Sequence, residues 1–468
     1  MSPAGRRGRP AAEPGDEAPL ARVEQALADR QPHHMVPDLD RITTLMDLLG
    51  SPQRSYRAVH VTGTNGKTST ARMIETLLRA FGLRTGRYTS PHLVSVTERI
   101  VIDGEPLSDE AFARAYDDIA PYVEMVDAAS LAEGGERVTF FELLTALAFA
   151  AFADAPVDVA VVEVGMGGAW DATNVLAADT TVLTPVALDH PELGPTPAAI
   201  AREKAGIVHE GALLVSAAQL PEVDQVVLDR IAEVHGRLVR EGPDIAVVDR
   251  RTALGGQVVT LRTRGGVYPD LFLPLHGAHQ AHNALLAVAA VEELLAGPAG
   301  GSSDDPEAGP LDHATLAEAL AEVTSPGRLE QVRTAPTVLL DAAHNPAGAR
   351  ALAAALGEAF SFRSLVGVVG VLADKDARGI FEALEPVLDA VVVVEVPSPR
   401  ALDLEELEDE AVAVFGAERV EVARSVPDAL DLAVRLSDAD SDDLGGGGVL
   451  VAGSIVLVGV ARALLARG

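Results

Sequence analysis

The chain has 468 residues, 48% of them hydrophobic, with 37 lysines and arginines against 69 aspartates and glutamates, a formal net charge of −32. So acidic a chain repels nucleic acid and anionic membranes, and no basic cluster outside its first ten residues overrides that field. It contains no cysteine, which excludes disulfides and thiolate metal sites, and no apolar run near the ~20 residues of a membrane span.

The length admits about three domains or two larger α/β units. Residues 1–31, opening MSPAGRRGRPAAEPGDEAP, are rich in Pro, Gly and Ala and lack the apolar segment of a secretory signal, so a disordered tail on a cytoplasmic protein is expected. Met35 to Gly50 has a helical apolar rhythm. The stretch Arg57 to Arg72, RAVHVTGTNGKTSTAR, then turns from a strand through Gly63 and Gly66 into a helix. That is the architecture of a phosphate cradle, in which backbone N–H groups face an anion, a lysine reaches the terminal phosphates and a hydroxyl can ligate magnesium. Val61 stands where the strict G-x-x-x-x-G-K-[ST] pattern has its first glycine, and a bare G-x-x-G-K-T also occurs as an ordinary turn into a helix. The flanking strand and helix favour a nucleotide.

Further on, Arg99 to Ile102 followed by Asp103-Gly104 signals a hairpin. Phe140 to Ala153 reads as a buried helix, Val157 to Val162 as an apolar strand ending at Glu163, and Thr180 to Val186 as another ending near His190. Strands alternating with helices predict a parallel sheet covered on both faces. Residues 212–275 are strand-rich and less regular, and helix returns at His279 to Ala296. GPAGGSSDDPEAGP, residues 297–310, is the clearest linker. Beyond it, strands are expected at Thr337 to Leu340, Ser364 to Val371, Ala390 to Val396 and Val449 to Val460, with a glycine-rich loop at Asp438 to Gly448. The expected domains are therefore 32–296 and a smaller α/β unit over 311–468.

Several side chains at strand ends could carry chemistry. Glu163, past an apolar strand, suits an acid that holds magnesium, or a carboxylate capping the glycine turn that follows. His190 could ligate a metal through neutral imidazole, though a histidine in a turn is more often structural. Ser90, Lys204 and Arg328 are by default a turn hydroxyl, a solvated helix lysine and a surface arginine; Asp341 and His344 follow a strand of the second domain and could face a cleft.

Together, GTNGKTS, TSPH…ERI, VDVAVVEVGMGGAWDATN, LDH…EKAGI, SPGRLE and DAAHNP in this order resemble the folylpolyglutamate synthase/dihydrofolate synthase family of the Mur-ligase superfamily, over roughly residues 35 to 465. The resemblance implies an α/β fold with a P-loop-type, mostly parallel ATPase domain and a Rossmann-like C-terminal ligase domain. It implies an ATP-dependent ligase joining L-glutamate to dihydropteroate or folates, with Mg2+. Lys67, Glu163, Lys204 and His190 would be catalytic. Thr64, Asn65, Gly66, Lys67, Thr68, Ser69, Asn283, Arg328 and Asp341 would hold ATP, and Ser90, Glu163 and His190 the metal. Lys204 matches a lysine that the family carbamylates; Asp38, Asp40, Arg41 and His344 resemble substrate-site residues.

Two departures stand out: the turn after Leu188-Asp189-His190 is one residue short, which could move His190, and Thr68 replaces a glycine common in folate relatives. The rivals are a peptidoglycan-type Mur ligase and a non-catalytic nucleotide-binding regulator. The first is disfavoured because only about 55 residues precede the phosphate loop, too few for a UDP-binding domain. The second predicts loss of Lys67, Glu163 or Lys204, and all three are present. Small-molecule partners and a monomer are expected.

Overall fold

The structure, a computed structural model, describes residues 18–31, 38–296, 311–438 and 446–466. Among these, an eight-stranded sheet runs in the order β4 (Glu105–Pro106), β3 (Ile100–Ile102), β2 (Thr85–Tyr88), β5 (Val159–Glu163), β1 (Arg57–Thr62), β6 (Thr180–Leu183), β7 (Leu213–Ser216) and β8 (Arg237–Arg240). All its pairings are parallel except those of the β2–β3–β4 hairpin edge. The strands are short and β-branched and bury both faces, as a covered parallel sheet requires. Val59 and Val61 point to the helices Lys67–Ala80 and Ala278–Ala296, while Ala58 and Val162 point to Phe140–Asp154. Register sets Val61 opposite Glu163 and Thr62 opposite Leu183. The phosphate loop, Glu163 and the turn carrying Asp189 therefore leave the sheet side by side at its carboxyl edge.

The irregular stretch forms an antiparallel sheet of β9 (Ala246–Ala253), β10 (Gly256–Arg262) and β11 (Val267–Leu273) that shares the first core. The second unit has its own six-stranded sheet, ordered β12 (Glu330–Thr334), β13 (Thr337–Leu340), β17 (Gly447–Ala452), β14 (Ser364–Val369), β15 (Ala390–Val394) and β16 (Val420–Ala423), parallel beyond the β12–β13 pair. The α/β fold class expected from the alternation is what the chain adopts.

Four expectations need correcting. The tail predicted through residue 31 includes a helix, Pro19–Ala28, because Val23 and Leu27 lie four apart on one face and are buried against Asp109–Ala132. Burying each is worth about 1.5–3 kcal/mol, which holds a helix too short to persist alone. The rhythm from Met35 becomes a helix only at Asp40–Leu48, residues 32–37 lying outside the described ones. The strand expected over Val449 to Val460 breaks after Ala452: Gly453 takes φ +99°, Ser454 caps with its Oγ on the Val456 N–H, and Ile455–Leu465 is helix. An apolar run has no periodicity by which to tell the two states apart.

Last, the helix His313–Ala321 lies beyond the expected linker yet buries Leu316 and Leu320 in the first unit's core. Packing thus carries the first unit past residue 311. The linker 297–310 itself, most of the 438–448 loop and residues 1–17 lie outside the described residues. Among the described residues no helix is long and apolar enough to cross a membrane.

Candidate functional site

The phosphate loop is shaped by two glycines in the left-handed region, Gly63 at φ +144° and Gly66 at φ +92°. A methyl group on Gly63 would overlap Thr184 Oγ1. Lys67 opens the helix and turns its Nζ back to the carbonyls of Gly63 and Thr64, 3.1 Å from each. Burial lowers its pKa, against the pull of Glu163 and Asp189. Thr68 Oγ1 lies 2.9 and 3.0 Å from the two Glu163 oxygens, and the Ser90 N–H donates to Oε2 at 3.2 Å. Burial raises the Glu163 pKa, while Lys67 and Thr68 oppose the rise. Ser90 Oγ has no hydrogen-bond partner among the described residues.

This oxygen-rich set of Thr68, Ser90 and Glu163 fits a hard cation of the Mg2+ type, which takes one or two carboxylates and completes its shell with phosphate and water. Among the described residues no three His, Asp or Glu side chains could enclose a metal alone. His190, the third expected ligand, lines the same larger cavity as Ser90 and Glu163; its backbone is left-handed at φ +54° and its Nε2 is 3.7 Å from Asp189 Oδ2. Burial lowers its pKa to about 4, leaving the imidazole neutral.

The second unit closes the other wall of a cavity of about 680 Å³. Asn65 and Asn345 exchange amide hydrogen bonds of 3.3 and 3.1 Å across the units. Lys375 Nζ donates to Asp189 Oδ1 at 2.8 Å, and His344 Nε2 lies 3.8 Å from Asp189 Oδ2. Burial alone would raise the Asp189 pKa, but His344, His190 and Lys375 hold it well below the usual carboxylate range. Arg328 and Asp341 line the same cavity. The Asp341 oxygens accept from the N–H groups of Leu329 and Ala343, both at 2.8 Å, and burial raises its pKa against the Arg328 charge.

Asn283 lines the cavity beside Gly66. Ser69 lines the cavity as well, its hydroxyl 3.0 Å from Ser325 Oγ in a buried contact. Lys204 is buried, makes no ion pair or hydrogen bond among the described residues, and has its pKa lowered to about 7 by burial and then by the Lys67 charge.

A second cavity of about 300 Å³ lies wholly within the first unit. Arg41 and Asp38 line it together with Phe141, Trp170 and Asp171. Arg41 is clamped by Glu142 at 3.0 and 3.2 Å and by Asp38 at 3.2 Å. Asp40, expected beside them, is exposed at the helix start and is not part of the lining. The two cavities meet at Ser90, Pro91 and Gly165, which line both.

Sequence motifs do not single out Lys375 or Asp189 as site residues, nor Arg99 and Trp170 in the smaller pocket. One signal could have found Lys375. The chain has three lysines, Lys67, Lys204 and Lys375, all its other basic residues being arginine, and all three converge near Asp189.

Comparison with known proteins gives the same account of the chain. A Mur ligase middle domain matches residues 61–291, and a Mur ligase glutamate ligase domain matches residues 327–455. The dihydrofolate synthase/folylpolyglutamate synthase of Mycobacterium tuberculosis is 50% identical over 472 residues, covering 97% of this chain and 95% of that protein. The structure of Mycobacterium tuberculosis folylpolyglutamate synthase complexed with ADP superimposes with a TM-score of 0.90, over 96% of this chain and 99% of that one. An FPGS–AMPPCP–folate complex, 33% identical, gives 0.80 over 95% and 99%. The chain belongs to the dihydrofolate synthase/folylpolyglutamate synthase family, the ATP-dependent glutamate ligases built on Mur ligase domains.

Proposed function

We propose that the larger cavity takes ATP, the smaller one the ring system of dihydropteroate or a folate, and that the enzyme ligates L-glutamate to both kinds of acceptor. The observation that carries this is the meeting of the two cavities at Ser90, Pro91 and Gly165, where an acceptor carboxylate reaching out of one would face the terminal phosphate in the other. Phe141 and Trp170 suit a flat heteroaromatic ring, and the clamped Arg41 offers N–H groups to its polar edge.

In the first step an acceptor carboxylate oxygen bonds to the γ-phosphorus as the bond to ADP breaks. Lys67 spreads the charge on the transferring group, and in a site shut from water this is worth far more than on the acidic surface. Mg2+, when bound, would supply Lewis-acid neutralisation of the phosphate oxygens. In the second step the glutamate amine attacks the acyl carbon, phosphate leaves with the electron pair, and the amine proton is released. Lys375, paired with Asp189, and Arg400, paired with Asp374, are the remaining cations on the second-unit wall and would meet the glutamate carboxylates by exchanging those partners. Arg328 and Asp341 would complete the nucleotide site when the second unit is seated, shielding the acyl phosphate from water.

The neutral-amine character of Lys204 supports a carbamate there, since carbon dioxide adds only to an unprotonated amine. The acidic surface disfavours nucleic acid and anionic membranes, which supports small-molecule partners, and a cytoplasmic monomer is proposed with them. The test is direct: purified protein with ATP and L-glutamate should release phosphate and gain labelled glutamate with dihydropteroate and with tetrahydrofolate alike. Incorporation with one acceptor alone overturns the dual activity, and with neither overturns the reading.

A further inference from the structure

The loop from Thr89 to Arg99 begins at the metal-side hydroxyl and ends in the first unit's sheet, but its Leu93 leaves that unit. Its side chain packs against the apolar core of the second unit, beside Gly327 and Val458. Its carbonyl rests on Gly459, where a methyl group would overlap it, and a methyl group on Gly327 would come to 3.2 and 3.3 Å from the Leu93 Cδ atoms. The carbonyl seat therefore exists because position 459 is glycine, and the side-chain seat at Gly327 is tight.

Between Leu93 and Ser90 the backbone has little freedom. The Glu98 carboxylate accepts from the N–H groups of Leu93, Val94 and Ser95 at 2.9, 3.0 and 3.0 Å. Arg99 Nε donates to His92 Nδ1 at 2.9 Å, and the Ser90 N–H is fixed on Glu163. On the far side, Gly327 precedes Arg328, and its carbonyl accepts from the Ala342 N–H at 2.8 Å, next to Asp341. One side chain thus joins the Ser90–Glu163 end of the cavity to its Arg328–Asp341 wall by short, stiff segments. A leucine that only covered surface would need neither glycine seat nor a braced loop.

We infer that Leu93 is a positioning residue for phosphoryl transfer: seated between Gly327 and Gly459, it sets Ser90 and Glu163 in register with Arg328 and Asp341. It touches no substrate. The inference rests on the nucleotide reading of the larger cavity. Each half of that cavity keeps its own ligand contacts when the seat is lost; what goes is their alignment, which the transition state feels more than the ground state.

The experiment uses the full chain with ATP, L-glutamate and tetrahydrofolate. L93A should lower kcat about tenfold, as small misplacements do, while the ATP KM moves less than about threefold. L93M should recover most of the loss, and G459A, whose methyl group meets the Leu93 carbonyl, should reproduce it by displacing the same loop. A kcat for L93A within twofold of the parent overturns the inference, as does a G459A that turns over like the parent. So does a fall in activity that tracks the thermal midpoint and is not recovered by L93M, which marks a merely structural residue. A parent that turns over no ATP defeats the nucleotide reading instead, so the two failures are told apart.

Discussion

The two cavities hold different cations for different work. The smaller one holds arginines that are already spoken for: Arg41 gives three hydrogen bonds to Glu142 and Asp38, and Arg99 is tied to His92. The larger one is lined by Arg328 and Arg400 too, but it alone gathers the chain's lysines: Lys67 and Lys375 line it and Lys204 lies close by. Arginine cannot lose its proton in a protein, and its planar fork is suited to fixing a geometry. Lysine is a compact charge whose pKa moves on burial. The proposed ring pocket has only the first among its lining lysines and arginines, and the proposed phosphate cleft adds the second, for moving charge or a neutral amine.

The largest effect should come from breaking the lysine side of this contrast. Lys67→Ala is expected to cut phosphate release by about 10²–10³-fold, the scale of losing one transition-state donor, with the thermal midpoint unchanged. Lys67→Arg should fare little better, because the Nζ sits as a compact charge 3.1 Å from the Gly63 and Thr64 carbonyls, a place a planar fork does not reproduce. Turnover near that of the parent in either variant would remove the phosphate role.

Lys204 comes next. With its pKa near 7, roughly half the amine is neutral at pH 7, against about one in 2,500 for an ordinary lysine. The sign follows: carbamate formation is favoured above pH 7 and lost as the amine protonates below it. Activity in bicarbonate should therefore fall about tenfold per pH unit below the inflection. Intact-mass measurement of active enzyme should show the added carbon dioxide at pH 8. An unmodified lysine in fully active enzyme would exclude the carbamate.

Arg41→Ala attacks the arginine side. It leaves Glu142 buried without its cation, so about 3 kcal/mol of stability should go, read as a lower denaturant midpoint. The acceptor KM should rise about tenfold, one lost polar anchor, with the ATP KM unchanged. If both KM values rise together, the two cavities are not separate binding sites.

The larger cavity was the more legible of the two because its parts are local. A glycine-spaced turn between a strand and a helix, and acids at strand ends, are short-range patterns with a stated mechanism, and register does the rest. The parallel pairing of Val61 with Glu163 brings two distant motifs together without further information. The second sheet and most strands were legible for the same reason. What was not legible depends on contacts between segments far apart in the chain.

Lys375 meets Asp189 across 186 positions, and Arg41 meets Glu142 across 101. Nothing in the neighbourhood of either residue signals its partner. The Ser69 hydroxyl, one residue past Thr68 on the same helix, meets Ser325 across 256 positions, a contact of the same long-range kind. The helix Pro19–Ala28 escaped notice because its stability comes from tertiary burial; composition there says disorder.

That helix bears on the comparison through Arg30, just beyond its end. The guanidinium bonds Asp127 at 2.9 Å and the Val138 carbonyl at 2.9 Å, while the Arg30 carbonyl accepts from the Phe140 N–H. These bonds fasten the segment that supplies Thr139 and Phe141 to the smaller pocket and touch nothing in the larger one. Arg30→Ala should therefore cost about 2 kcal/mol of stability, the worth of a charge-assisted bond in a mostly buried pair. The surviving fold should show an acceptor KM raised about threefold, from a looser rim, and an ATP KM that does not move. Steady-state kinetics with each substrate varied in turn separates the outcomes. A rise in the ATP KM as well would mean that the rim of the arginine pocket and the lysine cleft move as one body, and that the division of labour between them is not one of structure.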